Sequence, residues 1–118
     1  MSAKLLWSTL AVLFVALTAT SAHAQFTGPS VTGRDSTAAA IANARVGSYV
    51  TLTGNIVTHL REEYFTFRDA SGEVRVEIDE KLWQGRKVGP ETRVRLVGEV
   101  ERSIKGRYVD VKSLEVLN

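Results

Sequence analysis

Alternation constrains this chain more than any other feature. After Ser48 apolar and polar residues trade places in five short runs, broken by small polar residues, glycine or proline. A period of two sends successive side chains to opposite faces of a strand, so each run has one face to bury. The pattern is clearest in FTFRDASGEVRVEID, residues 65–79. Phe65, Phe67, Val74, Val76 and Ile78 fall on one face, and Asp69-Ala70-Ser71-Gly72 makes a compact hairpin turn between the two halves. In register around that turn, Arg68 lies opposite Glu73, Thr66 opposite Arg75, and Tyr64 opposite Glu77. The outer face thus carries most of the charge, and its purpose is the functional question.

The runs are Tyr49–Thr58, Tyr64–Arg68, Glu73–Asp79, Thr92–Glu101 and Tyr108–Val116. Inward positions are Val50, Leu52 and Ile56, then the hairpin residues above, then Val94 and Leu96, then Val109 and Val111, with Leu114 and Val116 following a phase shift. Leu60–Glu63 connects the first two runs and holds His59 beside it in a loop-like stretch. Gly54 and Gly98 stand inside strands, where glycine marks a bulge or sharp bend. Leu82 and Trp83 sit in a short helical turn within EKLWQGRKVGPE, residues 80–91. Ahead of the strands, DSTAAAIANAR has Ala38, Ile41 and Ala42 at helical spacing, with Asp35 or Ser36 as the cap and Gly47 past the end. It predicts a helix over 35–46 that docks through those three residues. Five short, bent strands at this size close most economically into an all-β, five-stranded Greek-key barrel of the OB type, with the short helix before it.

The N-terminus sets the compartment. Lys4, the apolar run Leu5–Leu17 and the small residues of Ala22-His23-Ala24 form the three parts of a secretory signal peptide, residues 1–24, cut between Ala24 and Gln25. The apolar run is short for a span of about 20 residues, so no membrane span is expected after processing. Residues 25–34, QFTGPSVTGR, read as a flexible arm, and 35–118 form one domain. A periplasmic destination follows. Lys4 leaves with the signal, so 14 basic residues face 13 acidic ones, and near-neutral charge gives no long-range pull toward nucleic acid. No cysteine is present, which removes disulfides, thiolate nucleophiles and Cys-based metal sites.

The charged face admits several readings. The bland one is a solvated sheet surface whose cross-strand pairs fix register. Single-stranded nucleic acid requires aromatic platforms in a basic groove; here one tyrosine stands among several carboxylates, which argues against it. A cation could be held by Glu77, Asp79, Glu80 and Asp110 if the fifth strand lies beside the third, although Arg75 and Lys112 would neutralise them. His59 is the only histidine left after processing, so no His-rich metal site forms within one chain. No serine–histidine–carboxylate set is oriented for catalysis, and neither an enzyme nor a cofactor is expected. Trp83 reads either as a lid on the barrel end or as a groove wall beside Tyr64 and Arg68; the lid suits so small a core.

Taken together, FTGPS at 26–30, VTLTGNIV at 50–57, FRDASGEVRVEID at 67–79, WQG at 83–85, RLVGEV at 95–100 and VDVK at 109–112 resemble the bacterial OB-fold (BOF) family of periplasmic, YgiW-type stress proteins. The resemblance implies a signal peptide, one OB barrel with an N-terminal helix, and a role in envelope stress tolerance. It implies a small molecule, cation or peptide-like ligand, no nucleic-acid determinants and no catalytic residues. An Asp often stands in the family where Glu77 stands here. The expected function is a non-enzymatic periplasmic binding protein. Its face would be bounded by Tyr64, Thr66, Arg68, Arg75, Glu77 and Trp83 and would take a small polar ligand, such as a cell-wall fragment or peptide. The alternative is an adaptor that docks on an envelope protein through the arm or a strand edge.

Overall fold

The computed structural model describes residues 33–118. The proposed signal segment, its Ala24–Gln25 cleavage point and most of the arm lie outside those residues. Among the described residues there are six strands: β1 (Arg34–Asp35), β2 (Tyr49–Arg61), β3 (Tyr64–Asp69), β4 (Gly72–Glu77), β5 (Arg93–Ser103) and β6 (Gly106–Val116). They form one sheet in the order β1-β2-β3-β4-β6-β5, and β2 also pairs with β5. Strands β2 to β6 therefore close into a five-stranded barrel of the OB type, as the alternation predicts.

The β3–β4 hairpin has the expected register, with Tyr64 opposite Glu77, Thr66 opposite Arg75 and Arg68 opposite Glu73. Phe67, Val76 and Ile78 are fully buried, with Leu52, Val94, Leu96 and Val109. Val100, not anticipated as a core residue, is buried too. The phase shift in β6 is a bulge: Val97 pairs with Ser113 and Gly98 with Val111. Lys112 is the extra residue, and it carries the inward set from Val111 to Leu114.

The two mid-strand glycines mark close approaches. A Cβ on Gly54 would overlap the Arg68 carbonyl oxygen and the Phe67 ring, and one on Gly98 would overlap the Asp110 carbonyl and the Val109 side chain. At Gly54 strand β2 changes partners, leaving β5 after Asn55 and taking up β3 from there. That change is the barrel corner, and only glycine lets β3 cross so near.

Three features differ from expectation. The helix is a 3-10 turn over Ala39–Asn43, not an α-helix over 35–46. Arg34 and Asp35 instead pair in parallel with Val50 and Thr51, which turns the end of the proposed arm into strand. Ala38 and Ile41 are buried with Ala44 packed beside them, whereas Ala42 is exposed. The spacing of three is the 3-10 repeat, which replaces the α spacing. Neither Asp35 nor Ser36 caps this turn. The hairpin turn does so from across the fold: Asp69 Oδ2 accepts from the Ala38 amide (2.9 Å) and Ser71 Oγ from the Ala39 amide (2.9 Å). Lastly, β2 runs to Arg61, so His59 lies in a strand and not a loop. It pairs with Phe65, and Glu62–Glu63 makes the turn with Glu62 at φ 50°.

Candidate functional site

Two hairpins, β2–β3 and β5–β6, project from the same end of the barrel. Between their tips runs a groove of 690 Å³, within the range of about 300–1,000 Å³ seen for small-ligand sites. Leu60 and Arg61 form one wall, Ile104 and Lys105 the other, and Tyr64, Arg75 and Ser103 the floor. Strand β4 supplies Arg75 and β3 supplies Tyr64. This is the outer face of the alternating hairpin, at the end away from its turn.

Arg75 is held by three elements. Its guanidinium lies 5.2 Å from the Tyr64 ring centre and 4.8 Å from that of Tyr108 on β6. The two rings meet edge to face at 5.8 Å. Arg75 Nη2 donates to Ser103 Oγ (2.6 Å), and that hydroxyl donates to the Gly106 carbonyl (2.8 Å). Among the described residues Arg75 Nε is buried without a partner. A cation between two π faces is attracted by both rings, and its rotamer freedom is already spent before any ligand arrives.

Below the groove, Glu77 pairs with Asp110 across the parallel β4–β6 contact. Burial pushes the Glu77 carboxyl above its ordinary value, and the charges of Asp110 and Glu63 add to the rise; Lys112 and Arg75 partly offset it. Tyr108 is also raised, first by burial and then by the charge of Glu77 and by Tyr64. Lys112 Nζ donates to Asp110 Oδ2 (3.0 Å), and Asp110 holds the lysine above its usual value. Asp79 lines the same shallow pocket as Glu77 and Asp110, but its Oδ1 accepts from the Lys81 amide (2.8 Å) and caps the second 3-10 turn, Glu80–Trp83. The metal candidates thus line one pocket and divide only in role: Glu77 and Asp110 adjoin in register, while Asp79 also caps a helical turn. Among the described residues no three His, Cys, Asp or Glu side chains are placed to hold a metal ion.

The remaining site candidates divide as well. Thr66 sits beside Arg75 on the face and is half-buried. Arg68 is at the turn end, where its Nε donates to Glu73 Oε2 (2.8 Å) and both groups are exposed. Trp83 is not a wall of this face. It packs edge-on against Phe65 at 5.3 Å, and His59 stacks on Phe65 at 4.7 Å. It is a half-buried neighbour of the core.

Sequence reasoning missed Tyr108 and Ser103. A signal for Tyr108 was available. Placing the run that forms β6 beside the one that forms β4 puts Asp110 next to Glu77, and Tyr108 then falls on the same face beside Arg75. Nothing in the sequence singled out Ser103, which reaches Arg75 from a neighbouring hairpin.

Comparison with known proteins agrees with this architecture. The family model for bacterial OB fold (BOF) proteins matches residues 15–116. The calcium-regulated OB-fold protein CarO of Pseudomonas aeruginosa is 38% identical over 94 residues, covering 80% of this chain and 81% of CarO. Protein YgiW of Escherichia coli K12 is 36% identical over 104 residues, covering 79% of this chain and 80% of YgiW. The solved structure of E. coli ygiW superposes with a TM-score of 0.69 over 80% of this chain and 99% of that one. The chain belongs to the bacterial OB fold family.

Proposed function

We propose that this chain is a non-enzymatic binding module of the bacterial envelope, acting in the periplasm in stress tolerance. It takes a small polar or peptide-like ligand, such as a cell-wall fragment, on the outer face of β3 and β4. One observation carries the reading: Arg75 is fixed between Tyr64 and Tyr108 on the floor of an open groove. An immobilised guanidinium recognises a carboxylate or phosphate at low entropic cost. The secretory pattern at 1–24 supports the compartment, and the names of the family relatives carry no enzymatic activity.

A cation is the weaker ligand. CarO is described as calcium-regulated, and Glu77 and Asp110 do adjoin. The Lys112 ammonium already neutralises Asp110, and hard cations require several oxygens around one point. The adaptor reading draws on Ile104, which is fully exposed at the β5–β6 tip.

A thermal-shift screen of the purified protein against muropeptides, polyamines and calcium separates these readings. A ligand at a hundred times its Kd adds about 2.7 kcal/mol. The proposal expects a stabilising polar ligand whose effect disappears in Tyr64→Ala and Arg75→Ala. Stabilisation by calcium alone would favour the cation. A blank screen, with one envelope protein recovered by the wild type but not by Ile104→Ser, would favour the adaptor.

A further inference from the structure

We propose that the groove between the hairpin tips takes a short peptide by its free C-terminal carboxylate, with an apolar last side chain seated between Leu60 and Ile104. The inference rests on reading this face as a binding surface and names what it binds. Among the described residues, the two most exposed large apolar side chains are Ile104 and Leu60, and they line the same groove from opposite tips. Isolated exposed aliphatics are ordinary, but two that face one cleft form a seat for an apolar group.

The charge of the groove is one-sided. Arg61, Arg75 and Lys105 line it, and among the described residues no carboxylate does, although the whole chain carries nearly as many acids as bases. Arg61 and Lys105 make no ion pair among the described residues. One anionic group on the ligand satisfies this arrangement. Between the walls the floor is polar, made by the Arg75 fork and the Ser103 hydroxyl. A bare hydrocarbon chain offers no acceptor to the Arg75 N–H groups that Ser103 does not use, whereas a peptide carbonyl does. An apolar side chain, an amide backbone and a terminal carboxylate together describe the end of a peptide.

Calorimetric titration of the purified protein with N-acetyl-leucyl-leucine, its C-terminal amide and decanoate tests the assignment. The free acid should bind, and the amide should bind about tenfold more weakly or worse, the scale of one lost charge-assisted contact. Leu60→Ser and Ile104→Ser should each weaken the acid by roughly tenfold. Arg61→Gln with Lys105→Gln should weaken it and flatten its salt dependence. All four positions are exposed or at hairpin tips, and an unchanged melting temperature confirms that the variants fold. Equal binding of acid and amide, tighter binding of decanoate, or no binding of the acid by the wild type would each overturn the inference. If the rim variants bind the acid as the wild type does while Tyr64→Ala and Arg75→Ala lose it, the face stands and the groove assignment falls. If Tyr64→Ala and Arg75→Ala also bind every ligand normally, the wider reading falls with it.

Discussion

The two ends of the β3–β4 hairpin face carry the same kinds of residue in opposite states. At the turn end, Arg68 is paired with Glu73 in water. Burial there pulls the Asp69 carboxyl upward, but hydrogen bonds from Ser71 and from the Ala38, Ser71 and Gly72 amides outweigh it and hold the group below its ordinary value. At the groove end, Arg75 keeps a buried Nε without a partner among the described residues, and Glu77 and Tyr108 are both pushed up, first by burial. The turn end pairs its polar groups fully, and the groove end leaves Arg75 Nε over and holds two acids pushed up by burial. Unsettled groups cost stability and persist where something else uses them. The difference supports the proposed division of the charged face: the turn end fixes register and docks the first 3-10 turn, and binding is assigned to the groove end.

The comparison can be broken most decisively at the two arginines. Arg75→Ala should abolish capture of a face-bound ligand, a loss of tenfold or more, and should destabilise the fold by about 1–2 kcal/mol through lost cation–π contact. Arg68→Ala should leave capture unchanged. Equal losses from both, measured by titration and by denaturant unfolding, would erase the distinction between the ends.

Asp69→Ala is the next largest effect. It removes the acceptor for the Ala38 amide and unties the hairpin turn from the first 3-10 turn. Capping losses of this kind cost about 1–2 kcal/mol, read by urea unfolding, with ligand capture unaffected.

The two carboxyls should also respond oppositely to acid. The folded Asp69 carboxyl lies below its ordinary 3.8, so its contribution is present above the unfolded pKa and is lost as pH falls through the lowered value. The folded Glu77 carboxyl lies above its ordinary 4.5. Its favourable contribution is therefore complete below that value and is lost as pH rises through the folded pKa. Glu77→Gln should raise the melting temperature at neutral pH relative to wild type and narrow that gain below pH 4.5. Asp69→Asn should lower it at neutral pH, with the deficit shrinking in acid. Parallel shifts of the two variants would contradict the assignment.

The smallest effect belongs to the Arg68–Glu73 pair. A double-mutant cycle should return well under about 1 kcal/mol, vanishing at high salt, as for exposed ion pairs. A larger, salt-insensitive coupling would mean that the turn end does more than fix register.

What was legible in the sequence follows the same division. The hairpin register was legible because a period of two around Asp69–Gly72 leaves one pairing that buries both Phe67 and Val76. The bends at Gly54 and Gly98 were legible as glycines inside strands, and the bulge in β6 as a change of parity between Val111 and Leu114. The arginine cluster was less so. Arg75 meets Tyr108 through a parallel contact of only two residue pairs, which local alternation does not specify. The α-helix expectation failed because alanine spacing fits an α and a 3-10 turn alike. Tertiary partners decided it, when Asp35 joined β1 and Asp69 moved the cap to Ala38.

The most direct test is a map of amide and side-chain resonances of the isotope-labelled protein during titration with the ligand found in the thermal-shift screen. The predicted result is movement at Tyr64, Arg75, Ser103 and Tyr108, with Arg68, Glu73 and Asp69 still. Movement confined to the turn end, or spread evenly over both ends, would contradict the claim that this face binds through its groove end.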